Sequence, residues 1–206
     1  MNSSEPESDP AAESTAPGEV QKAASGPLAG AGPLEPVLAW LVEDLEVLSG
    51  RRVKAEAASL ERGSGRPSGI GQVGLCFRFS LDRLADSFVG LLVISWRDAA
   101  FLAGAFDLVP EADLPALRQA SGPDAAVKRR LLKLGPYLAG SLEAGLAEIG
   151  FGGLLVRFET CQGLRADQGP SLGGAGPPWS CARFTLAFEG HEAGPASLLI
   201  EQAALA

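Results

Sequence analysis

The feature that most constrains this chain is a repeated order of elements. In "LEPVLAWLVEDLEVLSG" the residues Val37, Leu38, Leu41, Val42, Leu45 and Leu48 recur at helical spacing, with Gly50 as a terminating residue. Three strand-like stretches follow: "RRVKAEAASLERG", "GQVGLCFRFSL" and "SFVGLLVISW". Helical spacing returns in "RDAAFLAGAFDLV", a Pro- and Asp-bearing segment "PEADLPALRQASGPD" reads as a loop or short helix, and a long helix follows. Three more strands close the chain, "GGLLVRFETCQ", "SCARFTLAFEG" and "PASLLIEQA". Phe77 and Phe79 answer Phe184 and Leu186, and Gly/Pro/Ser-rich loops separate the first two strands in both halves. The expectation is an α+β domain in which an antiparallel sheet carries helices on one face, with pseudo-twofold similarity between residues 34–96 and 133–202.

The long helix holds an internal contradiction. From Val127 the large apolar residues fall at Leu131, Leu134, Leu138, Leu142, Leu146 and Ile149, one stripe facing a core, yet the stripe runs through Gly135 and Pro136. A proline in a helix interior costs about 3 kcal/mol or more, because it removes a backbone donor and crowds the preceding turn. Two outcomes are open: a kinked continuous helix, or an end at Leu134 and a restart with proline at the first position. The face opposite the stripe carries Arg129, Lys133, Pro136, Gly140 and Glu143, with Arg130 beside it.

At 206 residues, 46% of them hydrophobic, the chain can bury a sizeable core. Residues 1–33 lack apolar periodicity and are rich in Pro, Ala, Ser, Glu and Gly, which reads as a disordered tail before a domain spanning 34–206. The net charge of −8 disfavours nucleic acid and anionic membrane surfaces as partners, since Lys128, Arg129, Arg130 and Lys133 form only a short basic cluster. The start is acidic and polar, unlike a secretory signal, and no apolar run reaches the ~18 residues of a membrane span, so a cytoplasmic location without membrane insertion is expected. Cys76, Cys161 and Cys181 lack CxxC spacing and read as reduced, part-buried thiols, neither a disulfide framework nor a zinc site.

No other pattern rises to a catalytic constellation. His191, the lone histidine, lies in "FEGHEAG" and reads as a solvated turn residue in place of a general base. The glycine clusters around residues 28–32, "GSGRPSGIG" and "GGAGPP" lack the strand, helix and lysine context of a phosphate loop and read as flexible linkage. Asp82 and Asp86 flank a turn and Asp98 opens a helix, where a carboxylate stabilises the N-terminus. No cofactor or metal is expected.

Three stretches resemble the CheX and CheC family. "FVGLLVISWRDAAFLAGAF" resembles its strand-to-helix segment, "LLKLGPYLAGSLEAGLAEIG" its long helix, and "CARFTLAFEGHEAGPASLLIE" its closing hairpin, so that the likeness covers residues 34 to 203. The resemblance implies binding of a phosphorylated CheY-type receiver through a Glu-x-x-Asn motif on the long helix, the Asn orienting the attacking water and the Glu engaging a lysine of the receiver. Here the matching positions are Lys133 and Pro136, and the only asparagine in the chain is Asn2. A lysine reverses the charge and a proline side chain can neither donate nor accept, so the positioning that phosphoryl transfer needs is absent. What the resemblance implies is therefore a non-catalytic protein that binds a receiver domain or another signalling or flagellar protein, with Arg129, Arg130, Lys133, Pro136, Gly140 and Glu143 as the partner-binding face. The fold also resembles the middle domain of FliM-type flagellar switch proteins, which implies an alternative structural or assembly role. A phosphatase with a non-standard site is the third reading, and a homodimer is compatible with all of them.

Overall fold

A computed structural model describes residues 28–119, 124–173 and 176–206. The elements are α1 (Glu35–Ser49), β1 (Val53–Gly63), β2 (Gly74–Arg83), β3 (Asp86–Ser95), α2 (Trp96–Phe106), α3 (Leu114–Gln119), α4 (Ala125–Leu146), β4 (Leu155–Leu164), β5 (Trp179–Phe188) and β6 (Gly194–Glu201). The six strands form one sheet in the order β1-β5-β6-β3-β2-β4, every pair antiparallel. Exchanging β1 with β4, β2 with β5 and β3 with β6 returns the same order read backwards. The duplication legible in the sequence is therefore a pseudo-twofold of the sheet, with β3 and β6 pairing across its centre through Val93 and Ser197. The two halves part company at their ends, since β3 leads into the full helix α2 and β6 into a short 3-10 turn, Gln202–Leu205.

Position in the sheet explains strand composition. The central strands are buried on both faces, and β3 accordingly reads "LLVIS" and β6 "SLLI" without alternation. In β2, Leu75, Phe77, Phe79 and Leu81 face the helices; in β5, Ala182, Phe184, Leu186 and Phe188 do the same. The helical layer closes that face. α1 ends on Gly50, whose φ of 64° is left-handed. It crosses α4 so closely that a Cβ on Gly145 would stand 2.6 Å from Val37 Cα.

α4 is continuous from Ala125 to Leu146 with Pro136 inside it, so the continuous helix holds and the restart does not. Its stripe is buried as expected, Leu131, Leu134, Leu138, Leu142 and Leu146 each being at most 2% exposed. Ile149 falls beyond the helix, in a widened turn at Ala147–Phe151, and is only part-buried. Gly135 has a packing reason: a Cβ there would enter the Phe158 ring of β4 at 2.5 Å. That ring in turn tilts against Phe77 and Phe79.

Two expectations need correction. The loop between β1 and β2 and its pseudo-symmetric counterpart between β4 and β5 are not loose linkers where they are described. They meet over the sheet face opposite the helices, and Ile70 and Leu172 cover Cys76, Leu91, Val93, Cys181 and Leu199. Arg66 Nε donates to the Gly169 carbonyl at 2.9 Å and Trp179 Nε1 to that of Gly65 at 3.0 Å. A Cβ on Gly169 would lie 1.8 Å from the Pro67 carbonyl oxygen, so the glycines there permit backbone contact. Packed chain also begins earlier than residue 34. Ala29–Leu34 forms a 3-10 turn, Ala31 is fully buried, and Gly30 abuts the Ala58 carbonyl on β1. Short apolar residues dock there without periodicity, which is why composition alone assigned them to the tail. Residues 1–27 of that expected tail lie outside the described residues.

Candidate functional site

The outward face of α4 was singled out by its sequence. Asp124 caps the helix, accepting from the Val127 N–H at 2.7 Å. Lys133 and Pro136 follow one turn apart on the exposed side, with Arg129 and Gly140 also exposed and open space beside Gly140. Pro136 has no N–H to give to the Leu132 carbonyl.

Two of the expected site residues have other work. Glu143 is half-buried and accepts from the Val156 N–H at 2.8 Å, pinning the start of β4 to α4. Arg130 Nε and Lys133 Nζ both donate to the Asp107 carboxylate, at 3.1 and 2.9 Å. These bonds, Lys133's first, hold the Asp107 carboxyl below the usual carboxylate range. Much of the positive charge at the centre of this face is thus answered from within the chain, by the residue that follows α2. Arg129 keeps its charge free of any ion pair among the described residues.

Sequence reasoning missed the apolar part of the same face. Leu132 and Tyr137 are 48% and 56% exposed, and Tyr137 meets Phe106 of α2 edge-on with ring centroids 4.7 Å apart. A signal existed, since both are large apolar residues of α4 that lie off its buried stripe. At the two positions singled out on this face, the proline side chain has neither donor nor acceptor with which to hold a water, and the lysine carries a positive charge.

The other residues singled out are placed differently from one another. Asp82 and Asp86 flank the β2–β3 turn, as read. Asp98 does open α2, but it is also 1% exposed. Ser95 Oγ accepts from its N–H at 3.1 Å and donates to its Oδ2 at 2.5 Å, and Arg118 Nη2 donates to its Oδ1 at 3.1 Å. Burial pushes its pKa up against the pull of Ser95 and Arg118. His191 sits in the β5–β6 turn but is half-buried, its ring 4.7 Å from that of Phe101; a solvated residue is not what the fold makes of it. The thiols are free; burial raises Cys76 to about 12 and Cys181 to about 11, so they are inert at neutral pH. Among the described residues no group of three His, Cys, Asp or Glu could hold a metal ion, and no helix is long and apolar enough to cross a membrane.

No protein-family model matches this sequence, and no curated protein sequence does. Solved structures do. A chain of the FliM–SpeE complex from H. pylori superposes with a TM-score of 0.57 at 11% identity, over 81% of this chain and 85% of that one. A chain of the FliG–FliM complex from H. pylori gives 0.55 at 10% identity, over 82% and 92%. FliY of Thermotoga maritima gives 0.53 at 12% identity, over 82% and 86%. The chain has the CheC/CheX/FliY-like fold. At such identities the likeness is one of architecture: the palindromic sheet and the helical layer are shared, and the chemistry of the α4 face is this chain's own.

Proposed function

We propose that this chain is a non-catalytic docking protein of the CheX/CheC kind, which binds a response-regulator receiver domain through the outward face of α4. The observation that carries the reading is the replacement of both motif positions, Lys133 and Pro136, on a face that still exposes Leu132 and Tyr137. Exposed large apolar side chains on an ordered helix suit partner binding, and Arg129 with Lys133 at the rim suits an acidic receiver surface. Asp107 moderates this second contribution, so apolar contact carries more of the affinity than charge. The partner is signalling machinery and the location cytoplasmic under this reading.

The test is calorimetric titration of a CheY-type receiver from the same organism, free and beryllofluoride-activated, beside an assay of phosphate loss. Binding is expected without faster dephosphorylation. Tyr137→Ala, at the centre of the patch, should weaken binding by about tenfold, as truncation of an aromatic anchor does. Faster dephosphorylation by the unmodified chain would overturn the reading.

A second reading is favoured by a specific observation: two of the similar structures are complexes named for FliM with FliG and with SpeE. On this reading the domain assembles with flagellar-type proteins or with itself. Self-association or capture of such a protein, with no receiver binding, would select it.

A further inference from the structure

A cavity of about 640 Å³ lies apart from the α4 face, between the start of α2, helix α3 and the β5–β6 turn. Its wall includes Arg97, Arg118, Gln119, His191 and Glu192. Among the described residues, two of these lining side chains each carry a buried polar atom without a hydrogen-bond partner. Arg118 commits Nη2 to Asp98, yet its Nε is buried with no partner. The Nε2 of His191 is likewise buried and unpartnered. Arg97 is exposed and makes no hydrogen bond or ion pair.

Both buried groups are held in place by one ring. Phe101 lies 6.0 Å below the Arg118 guanidinium and 4.7 Å from the His191 imidazole. Burial, with Arg118 and Arg51 nearby, lowers the His191 pKa, so at neutral pH the ring is uncharged and can offer an Nε2–H. A buried polar group left without a partner is costly, and native sites of this kind are completed by a ligand, an ion or water.

The charge inventory narrows the choice. Arg97 and Arg118 stand against Asp98, which is already bonded to Ser95 and Arg118, and against Glu192, which is exposed and joins no ion pair among the described residues. Arg51 is occupied by Glu111. The site therefore has little net field, and selection falls to the unfilled donors, which want a compact group with several acceptor oxygens.

We infer that this cavity is a binding site for a small oxyanion, a carboxylate or phosphate group, that accepts from Arg97, Arg118 Nε and His191 Nε2. It is independent of the α4 docking face, and neither reading depends on the other.

His191 is the only histidine in the chain, so its imidazole signals report on the cavity without overlap in NMR spectra of the intact protein. Sodium phosphate and, separately, sodium acetate are titrated against sodium chloride at constant ionic strength. A saturable shift of the His191 ring signals, with a rise in its pKa, is expected for the oxyanions and not for chloride. Whichever of the two saturates at lower concentration assigns the group as phosphate or carboxylate. Arg97→Ala removes an exposed side chain that makes no hydrogen bond or ion pair among the described residues, so it should keep the fold, and should weaken binding about tenfold, as loss of one charge-assisted hydrogen bond does. The inference fails if neither oxyanion gives a saturable shift, if chloride gives the same one, or if Arg97→Ala binds as well as the unmodified protein.

Discussion

Pro136→Ala should stabilise this protein. The residue sits twelve positions into a helix that continues for ten more, so it is interior by any measure. Its ring is exposed, and replacing it sacrifices no core packing. An interior proline is about 3 kcal/mol less favourable than alanine, chiefly through the missing N–H and the clash with the preceding turn. Part of that gain is offset because proline also stiffens the unfolded chain, by about 0.4–1 kcal/mol. The expected net stabilisation is about 2 kcal/mol, which for a chain of this size raises Tm by about 4–8 °C. Thermal unfolding followed at 222 nm, with urea midpoints at unchanged slope, measures it. A lower Tm would refute the reasoning: it would mean that in solution α4 restarts at Pro136, where a fixed φ helps helix initiation.

Two glycines of the same helix should behave oppositely. Gly140→Ala, facing open space, should raise stability by about 0.8–1 kcal/mol, whereas Gly135→Ala drives a methyl into Phe158 and should cost about 1–3 kcal/mol, both read from urea midpoints. Asp98 has a folded pKa above its unfolded value of 3.8, so the folded state holds the extra proton in that window and stability falls as pH rises through it. Asp98→Asn should match the unmodified protein below that window and exceed its Tm above it; parallel curves across pH would contradict the assignment. Lys133→Glu with Pro136→Asn removes the helix-interior proline but sets a second carboxylate beside Asp107, so the double variant should gain helix stability and lose part of it again at low ionic strength, visible as a salt-dependent Tm. Truncation through residue 33 should lower Tm, because it removes the buried Ala31, and an unchanged Tm would show that this turn contributes nothing.

Sheet architecture was legible because it is written in periodicity. Phe77 and Phe79 alternate with Cys76 and Arg78, and Phe184 and Leu186 with Arg183 and Thr185, so each half announces the same amphipathic strand and the repeated order implies pseudo-twofold similarity, while the strand order itself came from the structure. What escaped was set by contacts distant in sequence. Ala31 is buried only because β1 brings Ala58 to it, and Arg66 and Gly169 meet only because two homologous loops cross at the pseudo-axis. Glycine clusters look alike whether they give freedom or permit close packing. The same limit governs the site. Spacing places Arg130 and Lys133 on one face of α4, but nothing local reveals that Asp107, 26 residues before Lys133, already holds them.

The helix tolerates Pro136 because its stripe outweighs it. Five leucines, Leu131, Leu134, Leu138, Leu142 and Leu146, are almost fully buried, and each contributes about 1.5–3 kcal/mol on removal from water. The smallest such sum is about two and a half times the cost of an interior proline, about 3 kcal/mol. Packing on the inner face therefore fixes α4 whatever its outer face carries, and the outer face is free to change without loss of fold. A proline at an exposed position whose helix needs neither its ring nor its constraint makes no contribution to stability, so its presence has to be explained from the surface it forms. There it lies between Leu132 and Tyr137 with an apolar ring of its own, and it removes a polar side chain from the centre of the patch. A proline at this position has no side-chain donor or acceptor and adds apolar surface between Leu132 and Tyr137, and both effects favour apolar contact over the holding of a water there.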